Sequence, residues 1–403
     1  MPEEEAAVAT TIEVSQARSE ARAGHIAFIG GFLLLIFAVP LVQTAWELGR
    51  GEPVQALDVF ARIPTAEGLT QYERALEERS VIARAVRERW HWLSLVALRG
   101  GNQKAVVARE RTLFYRPSLD FTLAPGFMRA PFGEGHPVPA IVAFRDSLRR
   151  QDVELVLLIA PGKESIYPEW LSRRYQLGDG PPSNQDMQAF LDAMQRAGIP
   201  AIYPAEALWR GKLSGPMYLR EDTHWTPEGM ALAVDELARA LGEGPAGPGG
   251  PTTRALAVTR HGDLYDMLGL PGYLPAPLPP ETVTVQQVVD ASGRPVEPDA
   301  ESPVVLLGDS FTNIFSVAAM GWGDHAGLGE QLALRLGGPV DIIALNDGGV
   351  NTARMNLARR PDALAGKRVV VWQFAARDLV VSNGQWRLIE IGARREADAD
   401  ETR

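Results

Sequence analysis

Ser310 follows the apolar run Val304-Val305-Leu306-Leu307-Gly308-Asp309, and Asp222-Thr223-His224-Trp225 lies upstream of it. A serine becomes a useful nucleophile when a histidine takes its proton and an acid fixes that histidine's tautomer. In an extended loop, residues two apart point to the same side, so Asp222 can reach the His224 ring. A serine where a strand meets a helix also has backbone N–H donors nearby that favour a developing oxyanion. Each feature has a plainer use: Asp309-Ser310 can cap a helix, and His224 can be a buried structural histidine beside a helix opened by Thr226-Pro227. Glu134-Gly135-His136 and Asp324-His325 are competing acid–histidine pairs.

The elements that would position these residues alternate between strand and helix. Val153–Ala160 is an apolar run bounded by Asp152 and Pro161-Gly162, as in a buried parallel strand. A helix is expected over about 184–197, opened by Ser183/Asn184 and closed by Gly198, then a short strand at 199–203 and a short helix at 206–210. Pro227 starts a helix reaching about Leu241, and residues 242–251 (GEGPAGPGGP) form a linker. Residues 252–302 read as irregular, with short strands around Val283–Val289. The pattern resumes with a strand at 304–307, a helix after Ser310, a strand at 340–345, a helix at 351–359 and a strand at 368–374. Such alternation predicts a doubly wound parallel sheet, whose active residues gather at the strands' carboxyl ends.

The N-terminal part sets the compartment. Ile26–Val42 is a 17-residue stretch without charge, preceded by Arg18 and Arg22 and followed by Trp46. It predicts a membrane-spanning anchor with the tail in the cytoplasm and the rest outside. A cleaved signal peptide is the alternative, but no clear cleavage site follows. From Thr70 to Leu98, Tyr72, Leu76, Ile82, Val86, Trp90, Leu93 and Ala97 recur at helical spacing as a packing stripe, ended by Gly100-Gly101. The net charge of −10 argues against nucleic acid, and the absence of cysteine excludes disulfides, a thiol nucleophile and Cys-ligated zinc. No metal or cofactor is needed for serine acyl transfer.

Together, Asp222-Thr223-His224-Trp225-Thr226-Pro227-Glu228-Gly229 and Leu306-Leu307-Gly308-Asp309-Ser310-Phe311 resemble the alginate O-acetyltransferase AlgJ/AlgX family. The Ala160–Glu169 stretch resembles that family's Pro-x-Lys-x-x-x-Tyr-Pro-Glu segment. Leu113-Phe114-Tyr115, with Thr112 in place of a tryptophan, Gly262-Asp263-Leu264 and Val371–Leu379 resemble further parts of it. The likeness covers about residues 70–385. It implies an SGNH hydrolase-like (flavodoxin-like) parallel sheet flanked by helices, in circularly permuted order, plus the N-terminal transmembrane helix. It implies Ser310 as nucleophile, His224 as base and Asp222 as its orienting acid. The glycine oxyanion donor would be Gly348 or Gly349. No Gly-x-Asn-Asp follows the last strand, where Gln373 or Arg377 stands instead.

These readings divide the chain into a cytoplasmic tail (1–25), an anchor (26–46), a linker (47–69), a catalytic domain (70–385) with an insertion at 242–302, and a disordered tail (386–403). Lys163 is either a contact for a carboxylated sugar or a solvated lysine, and Arg109, Arg111 and Arg116 could meet a polyanion. The expected function is transfer of acetyl to a polysaccharide in the periplasm, with a multi-pass membrane O-acyltransferase as the donor partner. A carbohydrate acetyl esterase using the same triad, or a non-catalytic glycan-binding subunit of an export complex, are the alternatives.

Overall fold

A computed structural model describes residues 25–60, 65–128, 135–242, 250–346, 348–381 and 386–391, apart from positions 27 and 35. Nearly all of the expected cytoplasmic tail, residues 243–249 of the linker, Glu134 and residues 392–403 lie outside the described residues. The chain forms two compact units, Met1–Trp92 and Leu93–Arg403.

In the first unit α1 (Phe28–Arg50) is long and apolar enough to cross a membrane. At 1.5 Å per residue it spans roughly 35 Å, against a hydrocarbon core of about 30 Å. Its last turns are polar: Gln43 Nε2 donates to Glu47 Oε1 at 2.8 Å, and Gln43 Oε1 accepts the Val81 N–H at 3.0 Å. The single helix expected from residue 70 onward is instead α2 (Ala66–Arg79) and α3 (Val81–Leu93), broken at Ser80, whose Oγ accepts the Ala83 N–H. The stripe expected to pack is largely uncovered, with Val86 61% and Trp90 58% exposed. Both helices lie in the first unit, apart from the last residue of α3, so the second unit starts well beyond residue 70.

The second unit opens with β1 (Ala105–Val107), β2 (Leu113–Tyr115), α4 (Arg116–Leu123) and α5 (Pro137–Arg149). Then come β3 (Glu154–Ala160), α6 (Lys163–Ile166), α7 (Pro168–Leu171), α8 (Met187–Arg196), β4 (Ala201–Ile202), α9 (Ala205–Gly211) and α10 (Pro227–Ala240). The insertion holds β5 (Thr252–Arg260), α11 (Asp263–Met267) and β6 (Glu281–Val289). The chain continues through β7 (Val304–Gly308), α12 (Ser310–Asn313), α13 (Leu328–Leu336), β8 (Asp341–Ala344), α14 (Gly349–Arg359), β9 (Val369–Ala375) and α15 (Asp378–Val381).

The main sheet has the order β4-β3-β9-β7-β8, and every pairing in it is parallel. Its strands alternate faces as the two-residue period requires. Val156, Leu158, Leu306 and Val371 enter one core with the α10 residues Met230, Val234 and Leu237. Leu155, Leu157, Leu307 and Trp372 enter the other with Phe144 of α5, Phe190 of α8 and Leu357 of α14. The result is a sheet covered by helices on both faces, in agreement with the expected fold class.

Three expectations need correction. The region 252–302 contains a long antiparallel hairpin, with β5 paired to β6 from Thr252↔Val289 to Arg260↔Glu281. β5 is exposed along most of its length, so its residues lack the apolar run that marks a buried strand. Asn184 accepts the Asp186 N–H instead of capping α8. The tail expected from residue 386 begins inside the core: Trp386 is 3% exposed and packs against Trp372 and Phe374 at 5.5 and 5.6 Å between ring centres.

Leu306 is fully buried at the middle of β7. Leu306→Ala is expected to lower stability by about 2–5 kcal/mol, read as a lower denaturant midpoint.

Candidate active site

Ser310 occupies the first position of α12, directly beyond the carboxyl end of β7. Asp309 caps this short helix, its Oδ1 accepting the Phe311 N–H at 2.8 Å and its Oδ2 accepting the Ala375 N–H at 3.1 Å. Gly308 lets the strand turn, since a Cβ there would lie 2.1 Å from Thr312 Oγ1. Gln373 braces the turn from β9: its Oε1 accepts the Asp309 N–H at 3.1 Å and the Thr312 hydroxyl at 2.7 Å. The amide oxygen, not a donor, therefore faces the serine turn, and Gln373 Nε2 is buried without a partner among the described residues.

The acid–histidine loop is held where it enters by the segment after β3. Met217 N–H donates to Tyr167 Oη at 2.8 Å, and Tyr218 Oη donates to the Pro161 carbonyl. Lys163 Nζ donates to the carbonyls of Leu113 and Arg220 at 2.7 and 3.2 Å. Lys163 was expected to be either a contact for a carboxylated sugar or a solvated lysine; at 3% exposed it is neither, and it ties the acid–histidine loop to β2. Burial pushes its ammonium down to about 8, although the charges of Asp222, Asp263, Glu281 and Glu164 act to raise it. Within the loop, the Leu219 N–H donates to the His224 carbonyl and Tyr218 pairs with Trp225. Thr226 caps α10, as expected, by accepting the Gly229 N–H at 3.1 Å.

His224 Nδ1 lies 2.6 Å from Asp222 Oδ1, and His224 Nε2 lies 2.8 Å from Ser310 Oγ. The imidazole packs edge-on against Phe311 at 4.7 Å, and Trp225 packs against the same ring at 5.0 Å. The residue after the serine thus fixes the plane of the histidine. Asp222 Oδ1 also accepts the His224 N–H at 3.1 Å, while its Oδ2 accepts the Asp263 N–H at 3.0 Å and Trp322 Nε1 at 2.9 Å. Burial alone would raise the Asp222 carboxyl, but these donors and the His224 charge hold it well below the usual range. Burial also disfavours the His224 imidazolium, yet the hydrogen bond and charge of Asp222, with the charge of Asp263, raise it above its ordinary value.

Asp263 Oδ1 accepts the Thr223 N–H at 2.7 Å and the Thr223 hydroxyl at 3.1 Å, and Asp263 Oδ2 lies 3.7 Å from His224 Nδ1. Asp222, His224 and Asp263 are compact enough to suggest a cation site. The donors argue otherwise, because both Asp222 oxygens accept N–H groups and both His224 nitrogens face protein partners. No free ligand set remains on those two residues.

The oxyanion side is less fully built. The Ser310 N–H stands at a helix start, where backbone donors have no intrahelical acceptor. Gly348 caps α14 next to β8; Gly349 has φ +59°, and a Cβ on it would meet open space. Asn346, which sequence reasoning passed over, accepts from Asn313 Nδ2 at 3.0 Å and joins the post-serine turn to the β8 loop. The Arg377 guanidinium lies 5.1 Å over Tyr115 and 5.7 Å over Phe311, and its charge acts on His224 and Glu164. The competing histidines serve elsewhere: His136 accepts the Val138 N–H at the start of α5, and His325 Nε2 meets Glu297 at 3.1 Å. A further pair went unnoticed in the sequence, His261 Nδ1 at 2.6 Å from the buried Glu221, because its members are 40 residues apart.

Trp322→Phe keeps an aromatic, though smaller, ring and removes one donor to Asp222, at an expected cost of about 1–3 kcal/mol at neutral pH. A depressed carboxyl contributes stability above its unfolded pKa and loses it as pH falls through the folded one. The variant's Asp222 carboxyl is less depressed, so acid unfolding should begin at a higher pH than in the parent, as followed by circular dichroism.

Comparison with known proteins identifies the family of the domain that carries these residues. A family described as ALGX, SGNH hydrolase-like domain, acetyltransferase AlgX, matches residues 133–376. The probable alginate O-acetylase AlgJ of Pseudomonas fluorescens is 25% identical over 375 residues, covering 90% of this chain and 89% of that protein. The O-acetyltransferase domain of Pseudomonas putida AlgJ superposes with a TM-score of 0.53 at 25% identity, covering 70% of this chain and 93% of that domain. Pseudomonas aeruginosa AlgX shares the fold at a TM-score of 0.50 and 18% identity, over 70% of this chain and 62% of AlgX. With the match spanning more than half of its length, this chain belongs to the AlgX acetyltransferase family of SGNH hydrolase-like domains.

Proposed function

We propose that this chain is a polysaccharide O-acetyltransferase that works outside the cytoplasm through a Ser310–His224–Asp222 triad. The observation that carries this reading is the unbroken relay from Asp222 to His224 at 2.6 Å and from His224 to Ser310 at 2.8 Å. The names of its relatives, alginate O-acetylases, support acetyl as the group and a sugar hydroxyl as the acceptor.

Ser310 Oγ attacks the acetyl carbonyl of the donor as His224 Nε2 takes the hydroxyl proton, and Asp222 holds the other ring proton on Nδ1. The tetrahedral oxyanion forms beside the Ser310 N–H, with Gly348 or Gly349 at the start of α14 as the second donor. The donor's leaving group departs with the proton from His224, leaving acetyl on Ser310. A sugar hydroxyl then attacks, gives its proton to His224, and the reformed Ser310 takes that proton back. Arg377 places positive charge at the His224–Phe311 edge of this site, which suits an anionic acceptor sugar. Helix α1 anchors the catalytic unit at the periplasmic face of the inner membrane, and a multi-pass membrane O-acyltransferase supplies the acetyl group.

Two measurements test this. The full chain in detergent, given an activated acetyl ester and an acceptor oligosaccharide, should form acetylated sugar and an acetyl adduct on Ser310. Ser310→Ala should lose both by about 10⁴-fold or more. Acetate release without sugar acetylation would place the chain among esterases, and unchanged activity in Ser310→Ala would end the triad reading. The base must be neutral to act, and its pKa is raised, so acylation should climb with pH to an inflection above the ordinary imidazole value of 6.5.

A further inference from the structure

Gly262-Asp263-Leu264 matched the family pattern without a role, yet Asp263 is the second carboxylate at the catalytic histidine. Its position is built. Gly262 allows the insertion to approach the catalytic loop, since a Cβ there would lie 2.3 Å from the Glu221 carbonyl and 2.6 Å from Asp222 Cβ. The Leu264 N–H donates to the Glu221 carbonyl at 3.1 Å, which locks the two segments together. The Asp263 peptide N–H donates to Asp222, while its carboxylate takes both donors of Thr223, the residue between the acid and the base. Only Oδ2 is left over, and it faces His224 Nδ1 at 3.7 Å. The Asp222 side chain is 2% exposed and that of Asp263 is 29% exposed, so the second acid alone has access to water.

We propose that Asp263 is a positioning residue that shares with Asp222 the charge of the His224 imidazolium formed during transfer. This deepens the triad reading above and rests on it. Two anions on one imidazole stabilise its protonated form beyond what the buried pair provides, and a neutral histidine leaves them in conflict. Burial, with the repulsion of Asp222, lifts the Asp263 carboxyl to about 6. The charges that face it are Asp222 and His224 on the catalytic loop and Lys163 of α6; Asp266 lies on its own helix, with Glu221 and His261 flanking. When Asp263 takes a proton, His224 keeps one carboxylate and becomes a weaker base.

The test follows the His224 ring by NMR against pH in full-length Ser310→Ala protein, where no acyl chemistry intervenes. The expected result is a titration with a second inflection near pH 6 from Asp263, which disappears in Asp263→Asn while the main inflection falls by about one unit. Asp263→Asn keeps an oxygen for Thr223, and Asp263→Glu should recover part of the shift. In protein with Ser310 intact, the pH profile of acylation by an activated acetyl ester should move to lower pH in Asp263→Asn by the same amount. A single inflection in the parent, or an unmoved one in Asp263→Asn, overturns the proposal. Loss of the triad reading would appear separately, as undiminished acylation in Ser310→Ala. Should Asp263→Asn fail to fold, the parent titration alone decides.

Discussion

The Asp222 carboxylate is the constraint on which the site depends. A buried anion is tolerable only when its lone pairs are filled, and here four N–H groups fill them. Two come from His224, one from the backbone of the insertion at Asp263, and one from the indole of Trp322 beyond the serine turn. The same contacts that keep the acid charged also define where the histidine stands. Removing one partner of such a pair leaves an uncompensated charge in the core, which typically costs about 3–5 kcal/mol. The stability of this corner and its chemistry are thus one problem with one solution.

The surroundings of the relay have little freedom left. Tyr167, Lys163 and the Pro161 carbonyl hold the acid–histidine loop where it enters, and Thr226 and Pro227 start α10 where it leaves. On the other side, Gln373 and Asp309 stitch the serine turn to β9. The two halves meet through His224, Trp225 and Phe311, whose rings pack edge to face. Every contributor sits at the carboxyl end of β3, β7 or β9, or in a loop tied to one, as expected where parallel strands stop and their backbones turn.

Which parts were readable in the sequence follows from how local their causes are. Asp222 and His224 are two residues apart, and Ser310 ends an apolar run, so spacing and hydropathy disclose all three. The faces of β3, β7 and β9 are likewise a local matter of alternation. Trp322, Gln373 and Lys163 owe their roles to partners 50 to 100 residues away, and nothing near them announces it. The α2–α3 stripe had the right period, but periodicity shows which side is apolar, not whether anything covers it. β5 escaped notice because its stability comes from pairing with β6 and not from burial. Trp386 was hidden by the charged residues that follow it.

The donors to Asp222 also order events in folding. The hydrogen bonds that complete the relay join residues 41, 86 and 100 positions apart. Contacts of that span carry loop-closure entropy that shorter ones must first offset, so they belong to the late steps of folding. Until Trp322 has docked, Asp222 is an underfilled anion. A growing or partly folded chain, with Ser310 already placed just beyond β7, therefore lacks the Asp222–His224–Ser310 relay, which is complete only once the whole domain has closed.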